Sequence, residues 1–554
     1  MARTAAIGVQ DFAQIIQNDY FYVDKTVFIR EWWESGDAVT LITRPRRFGK
    51  TLNMNMLQRF FSVKYAGRGE IFEALSIWKE QKYRALQGTY PVIFLSFADV
   101  KEQKRDAAVE SIKSNLVALY NENRFLLEEN FLNPMEQEQF ASVTMNMSDV
   151  TAAKSIRFLC SYLSKYYKQK VIILLDEYDT PLQETFVNGY WEELVAFTRA
   201  LLNNTFKTNP YLERAVLTGI TRISRESLFS DLNNLKIATT VSDKYASCFG
   251  FTEEEVFAAM DEFGLKNKEE VKRWYDGFTI GKRKDIYNPW SILNYLDEKQ
   301  LKPYWANTSS NNLIGTLLQK ASKNIKMQFE DLLHHRSVVS EMEEEIVFNQ
   351  LDNDENAIWS LLLAVGYLKL ISVNEEKYEF MLTNYEVEKM FSKIIKTWFR
   401  RDSAAYNDFI KALLSGDVDA MCVYMNRISM SVFSFFDGGN QVSQTGNPER
   451  FYHGFVLGLL VELVGRYVIT SNRESGFGRY DVMMQPLDSQ DDGIILEFKV
   501  RNPKTEKNLQ ETVQIALQQI EEKQYEQVLL EQGVAREHIR KYGFAFEGKN
   551  VLIG

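Results

Sequence analysis

Over residues 1–250, short apolar runs alternate with stretches in which apolar residues recur every three to four positions. VTLIT (39–43), VIFLSF (92–97), VIILL (171–175) and AVLT (215–218) read as strands. VIILL shows no polar alternation, as expected where both faces of a sheet are covered. Residues 51–62 read as a helix, with Leu52, Met56, Leu57 and Phe60 on one face, and 109–122, 155–167 and 191–205 read the same way. Strands alternating with helices predict a mostly parallel sheet with helices on both sides.

The pattern changes near Phe251. In FTEEEVFAAM, Thr252 is a good helix cap and acidic residues fill the first turn. Residues 251–440 read as mostly helical, with 358–370 followed by 371–373 and 377–382 as a candidate winged-helix element. Gly438 and Gly439, in a loop running to Pro448, suit a linker. The last region, 449–554, reads as a helix (451–467), strands at 480–484 and 494–500, a helix at 509–522, then strands at 541–546 and 549–552. That order is a small α/β unit.

Composition limits the answer. A chain of 554 residues exceeds the about 250–300 that one core supports. With 45% hydrophobic and 25% charged residues it is not a mainly disordered chain. The 65 basic and 75 acidic residues give a net charge of −10, which excludes a generally basic binder, so any nucleic-acid contact needs local basic patches. Cys160, Cys248 and Cys422 are far apart and form no CxxC, and no HExxH occurs, so neither a disulfide framework nor a His-rich metal site is expected. MARTAAIGVQDF has no apolar signal core, and the best apolar run, 455–464, is short and carries Glu462. No membrane span and a reducing cytoplasmic location are therefore expected.

RPRRFGKT (44–51) follows a predicted strand and opens a predicted helix, the setting of a phosphate-binding loop. Gly49 would let backbone amides approach phosphate, Lys50 would meet the β/γ-phosphates, and Thr51 would offer its hydroxyl to Mg²⁺. Arg44 replaces the first glycine of the general GxxxxGK[ST] pattern, and Pro45 restricts the loop further. Arg46, Arg47 and Phe48 complete the loop; the two arginines fit phosphate contact or a partner. VIILLDEYD (171–179) ends a strand in Asp176 and Glu177, suited to a Mg²⁺ shell and to orienting the attacking water. A buried strand ending in solvated acids gives the same pattern. LTGITRIS (217–224) places Thr218, Thr221 and Arg222 after another strand, where Arg222 fits either a transferred phosphate or an ordinary salt bridge.

YFYVDKT (20–26), RPRRFGKT, LLDEYD (174–179), LTGITRIS and SDLNNL (230–235) together resemble the AAA-ATPase-like family of bacterial proteins, whose usual loop is RPRRFGK. The resemblance covers about the first half of the chain. It implies an α/β, P-loop NTPase (RecA/AAA-like) fold with ATP and Mg²⁺ as cofactors, nucleotide or loop anchoring by Asp24 and Lys25, and self-assembly as a homo-oligomer.

Asp481 lies 16 positions before Glu497, and Lys499 lies two beyond it. On a strand, residues two apart share a face, so Glu497 and Lys499 project together. Two carboxylates can hold Mg²⁺, and a lysine beside them can orient water or neutralise phosphate charge, the chemistry of phosphodiester hydrolysis. FYHGFVLGLL (451–460), SNRESGFGRYD (471–481), EFKV (497–500) and ALQQIEEKQY (516–525) resemble the PD-(D/E)XK nuclease superfamily, in the branch fused to AAA-ATPase-like domains. That likeness implies a restriction-endonuclease-like C-terminal α/β domain with Asp481, Glu497 and Lys499 catalytic, and Glu474 and Gln518 as helpers. Arg473, Arg479, Arg501, Lys504 and Lys507 fit phosphate contacts or plain surface charge. GKRK (281–284) near Trp274, Tyr275 and Trp290 fits single-strand binding or core aromatics.

The domains expected are 1–250, 251–440 and 449–554. The expected function is a Mg-dependent ATPase coupled to a metal-dependent nuclease acting on DNA or RNA. The alternative is an ATP-switched binding or signalling protein whose nuclease-like domain does not cut.

Overall fold

The computed structural model describes residues 3–221, 228–229, 232–306, 314–315, 317–318, 321–333, 335–341, 356–374, 377–398, 406–433, 456–457, 459–460, 463, 465–471, 474–475, 478–479, 481–488, 491–548 and 550–554. The chain divides into two compact units: 1–321 with 331–390, and 322–330 with 391–554.

The first unit is built on a five-stranded parallel sheet of β1 (Val39–Thr43), β2 (Val92–Ser96), β3 (Val171–Asp176), β4 (Leu212–Gly219) and β5 (Leu235–Ala238). Their order is β2-β3-β4-β1-β5. The strand carrying Asp176 and the strand leading to the loop at 44–49 are thus separated by β4 alone, and all three end on the same edge because they run parallel. β1 and β3 are buried at every position, so helices must cover both faces. One face packs into a cluster that includes Ile42, Met54, Leu57, Phe60, Leu174 and Val216. The helices Arg105–Glu122, Asp149–Tyr167 and Trp191–Phe206 bury Ile112, Leu116, Leu159 and Leu194.

β5 is absent from the strands that the hydrophobic pattern predicts. It is four residues long, and in LKIA only Ala238 is fully buried, so it carries neither a run nor a clean alternation. Equally unpredicted is a three-stranded sheet, β6-β8-β7, formed by β6 (Phe251–Thr252), β7 (Phe278–Ile280) and β8 (Arg283–Tyr287). The charged start of β8, Arg-Lys-Asp, hides its strand character. Thr252 caps the helix Glu253–Glu262 as expected, in a capping box with Glu255. The helix Ala357–Ala364 is followed by β10 (Leu368–Asn374) and β11 (Lys377–Leu382), an antiparallel pair extended by β9 (Val338–Glu341).

The second unit centres on a mixed sheet ordered β12-β15-β16-β17-β18: β12 (Tyr467–Ser471), β15 (Val482–Pro486), β16 (Gly493–Val500), β17 (Ile539–Glu547) and β18 (Asn550–Ile553). A two-stranded ribbon, β13 (Glu474–Ser475) and β14 (Gly478–Arg479), interrupts the sequence between β12 and β15. β16 and β17 are parallel and the other pairs antiparallel. The helix expected at 451–467 falls largely outside the described residues, and Tyr467 opens β12 instead. The glycine linker at 438–448 also lies outside them. Period-two alternation splits β16: Ile494, Leu496 and Phe498 enter one core with the helices Tyr406–Ser415 and Val418–Phe433, while Ile495 packs with Ile520, Tyr525 and Leu529. Glu497 and Lys499 share the face of Ile495, under the helix Leu509–Glu522.

Candidate active sites

In the first unit, β1 stops at Thr43 and the helix Lys50–Phe61 starts at Lys50, leaving 44–49 as the connecting loop, with Gly49 at φ 81°. The Lys50 ammonium is buried and donates to the carbonyls of Arg44 at 3.0 Å and Pro45 at 2.9 Å. Burial pushes its pKa down, the charges of Glu177, Asp176 and Asp179 oppose that, and nearby Arg46 adds to it. The Thr51 hydroxyl donates to Asp176 Oδ2 at 2.7 Å, and the Thr218 hydroxyl donates to the other carboxylate oxygen. Asp176 is fully buried, and that burial raises its pKa, against the hydrogen bonds from Thr218 and Thr51. Glu177 follows in a left-handed conformation, φ 52°, the kind of local strain of about 1–3 kcal/mol that clusters at functional sites. Its Oε2 accepts the Thr180 hydroxyl at 3.1 Å.

The rest of the loop is held from behind. The Arg44 guanidinium is fully buried and donates to the carbonyls of Thr43 (2.8 Å), Ala238 (3.1 Å), Thr239 (2.8 Å) and Lys244 (3.1 Å). Burial pushes its pKa down to about 10. Phe48 is buried edge-on against Phe278, with ring centroids 4.8 Å apart. Arg47, at φ 64°, lays its guanidinium over Trp290 at 4.3 Å. Arg46 is exposed and donates to Gln183 Oε1 at 3.2 Å. The structure therefore brings Lys50, Thr51, Asp176, Glu177 and Arg46 together, and turns the side chains of Arg47 and Phe48 toward Trp290 and Phe278. Arg222 lies outside the described residues.

Asp24 and Lys25 act within the fold. Asp24 accepts the amide and hydroxyl of Thr26 and the amide of Ser76. Lys25 is buried and donates to Glu255 at 2.7 Å and to the Ser247 carbonyl at 2.9 Å, tying the N-terminal segment to the capping residue of the helix Glu253–Glu262. Trp274 packs on Tyr385 and Tyr275 donates to the Lys302 carbonyl, so these aromatics near GKRK are engaged in packing. Glu253, Asp276 and Asp285 form an acidic group that sequence spacing does not reveal, with the Lys272 ammonium on Glu253 at 2.5 Å.

In the second unit, Asp481 stands one step beyond the Val482–Leu496 pair of β15 and β16, which sets it across from Glu497. Its Oδ2 accepts the Phe498 amide at 2.8 Å. Glu497 is 1% exposed, and Oε1 accepts the Lys499 ammonium at 3.2 Å and the Gln519 side-chain amide. Burial pushes the Glu497 carboxyl up to about 8, Asp481 adds to the rise, and Lys499 opposes it. Its Oε2 is buried with no hydrogen-bond partner among the described residues. Gln519 Nε2 also reaches the Tyr525 hydroxyl at 3.3 Å. Gly543, paired with Glu497 across β16 and β17, lets the helix Leu509–Glu522 come this close: a Cβ there would sit 2.9 Å from the Val513 carbonyl and 3.0 Å from Ala516.

The helix-borne partner is Gln519, not Gln518, which is exposed and donates to Glu522 at 2.6 Å. Helical phase carries the signal: buried Thr512, Ala516 and Ile520 mark the inward stripe, and 519 lies seven beyond 512. Arg501 is spent on Glu547 and the carbonyls of Glu506 and Lys507, while Lys504 and Lys507 are exposed. His453, Glu462 and Arg473 lie outside the described residues, as do the side chains of Glu474 and Arg479.

Two stretches match family models. Residues 6–229 match one described as predicted AAA-ATPase (AAA-ATPase-like), and residues 447–554 match one described as PD-(D/E)XK nuclease superfamily. The chain carries an AAA-ATPase-like domain and a PD-(D/E)XK nuclease superfamily domain. An uncharacterized protein from the vnfD 5′ region of Azotobacter chroococcum mcd 1 is 28% identical over 319 residues, 56% of this chain. The chain spans 55% of that relative's length. Among solved structures, the ORC2 protein of Aeropyrum pernix in ADPNP-ADP complexes matches 67% of this chain and 92% of its own, at 9% identity and a TM-score of 0.22. Among the described residues, no helix is long and apolar enough to cross a membrane.

Proposed function

We propose that the chain is a magnesium-dependent ATPase coupled to a metal-dependent nuclease acting on DNA or RNA. One observation carries the nuclease half: Asp481, just ahead of β15, meets Glu497 and Lys499 of β16, and Glu497 Oε2 is buried without a donor among the described residues. Such an orphaned oxygen costs about 1–3 kcal/mol, and a divalent ion shared by Asp481 and Glu497 would satisfy it. Bound there, the ion would neutralise charge on the scissile phosphate. Lys499 is 24% exposed, so its ammonium can reach a phosphate oxygen or a water from the pocket edge while still bonded to Glu497. Gln519 fixes the orientation of Glu497.

In the AAA-ATPase-like domain, Lys50 and Thr51 occupy the first turn of a helix, where free amides and the helix dipole favour phosphate. The Thr51 hydroxyl and Asp176 fit the Mg²⁺ shell, and Glu177 would orient the attacking water. Lys50 would exchange its bonds to the loop carbonyls for bonds to phosphate.

The test is direct. Purified protein should hydrolyse ATP with Mg²⁺, and Lys50→Ala should abolish it; wild-type turnover no greater than the variant's overturns the ATPase half. Mg²⁺- or Mn²⁺-dependent cleavage should disappear in Lys499→Ala. No cleavage of single- or double-stranded DNA or RNA overturns the nuclease half, leaving an ATP-switched binding protein.

A further inference from the structure

Asp179, three residues after Asp176, is buried without exposed surface. Its Oδ2 accepts the amides of Ile220 (3.0 Å) and Thr221 (2.8 Å), the Thr221 hydroxyl (2.8 Å) and the Gln183 side-chain amide (3.0 Å). These donors hold the two residues that leave β4. The approach requires glycine at 219, because a Cβ there would lie 2.6 Å from Asp179 Oδ1 and 2.6 Å from the Tyr178 ring. The Gly219 carbonyl in turn accepts the Arg44 amide at 3.1 Å, where the phosphate-binding loop begins.

The second arm runs through Gln183. Its amide donates to Asp179, and its carbonyl oxygen accepts Arg46 Nη2 at 3.2 Å. Gln183 belongs to the helix Thr180–Asn188, which starts three residues after Glu177 and is bonded to it through Thr180. Arg46 is therefore bonded to the helix that begins three residues after Glu177, the residue that would orient the attacking water. An exposed arginine has large rotamer freedom, so an unrestrained Arg46 would rarely stand there. A two-bond tether to a buried carboxylate removes that freedom.

We propose that Asp179 is a positioning residue that, through Gln183, presents Arg46 to the terminal phosphate of ATP while locking the end of β4 against the loop. This rests on the reading of the first unit as an ATP site, and it gives Asp179 a role separate from the Mg²⁺ and water roles of Asp176 and Glu177.

Equilibrium binding of Mg·ATPγS and Mg·ADP to the full chain tests it. Arg46 touches only the terminal phosphate on this account, so in wild type it should contribute about tenfold, or 1.4 kcal/mol, to the preference for ATPγS over ADP beyond what Lys50 and Mg²⁺ supply. Gln183→Ala should reduce the preference by about tenfold with ADP affinity unchanged, and adding Arg46→Ala should change nothing further. Gln183→Glu separates the two ends of the tether: it can still accept from Arg46 but cannot donate to Asp179, and it too should lose that contribution. A preference kept in full in Gln183→Ala or Gln183→Glu, or absent from wild type, overturns the proposal alone. Wild type that binds neither nucleotide overturns the ATP reading and the proposal with it.

Discussion

Asp481 accepts the backbone amide of Phe498 at 2.8 Å, so its carboxylate is docked between Glu497 and Lys499 rather than merely near them. The bond uses one oxygen for position and makes the charge, not the shape, the variable that Asp481→Asn removes. An asparagine can still accept that amide. Cleavage should therefore fall by roughly 100-fold or more, the several kcal/mol a bound ion supplies, while the melting temperature changes little. Cleavage rates and melting curves measured together check it; activity retained in Asp481→Asn would remove the ion from the account.

Gln519 and Gln518 make a matched pair for mutation. Gln519 holds Glu497, and Gln518 holds only Glu522 on the helix surface. Partners that orient ion ligands typically contribute 10–100-fold. Gln519→Ala should lower metal-dependent cleavage by about that factor and weaken the apparent affinity for Mn²⁺ in a titration. Gln518→Ala should leave both within about twofold. Equal effects from the two variants would mean that the hydrogen bond to Glu497 is not used.

Arg44 stands where the general phosphate-loop rule has glycine, yet it does not mark a degraded loop. Its guanidinium joins the carbonyls of Thr43, Ala238, Thr239 and Lys244. Arg44→Gly, which restores the general motif, should strand these buried acceptors at about 1–3 kcal/mol each. A net loss above about 3 kcal/mol corresponds to a fall of roughly 6–12 °C in melting temperature. Thermal melting of the variant tests this; unchanged melting would show that the tether is dispensable.

How much of this was legible follows from the distance over which each contact acts. GKT after a strand, Asp-Glu at the end of another, and Glu-x-Lys within a third are local patterns, and the period-two rule alone puts Glu497 beside Lys499. Three of the four acceptors of Arg44 lie 194 to 200 positions downstream, so no spacing rule could assign its role. Lys25 and Glu255, 230 apart, were hidden for the same reason, and a motif open to nucleotide contact proves to be a clamp. The choice between Gln518 and Gln519 was within reach, because it depends only on helical phase. β8 was out of reach because three of its five residues are charged and exposed.

Glu386 sets a pH dependence in the first unit. It is 1% exposed, and burial pushes its carboxyl up to about 7, against donors from Ser291 (2.8 Å), Ala306 (3.2 Å) and Trp305 (2.6 Å). An exposed glutamate releases its proton near 4.5. Between these values the folded state binds more protons than the unfolded one, so stability falls as pH rises. At 1.36 kcal/mol per pH unit the fall reaches roughly 3 kcal/mol by pH 8. Asp276, raised to about 7 mainly by burial and then by Asp285, contributes a slope of the same sign, so the comparison must be with a variant. Urea unfolding at pH 5 and pH 8, followed by tryptophan fluorescence, should show wild type losing more stability than Glu386→Gln across the interval. Equal losses would mean that Glu386 is ionised in the folded protein throughout, with its three donors outweighing burial.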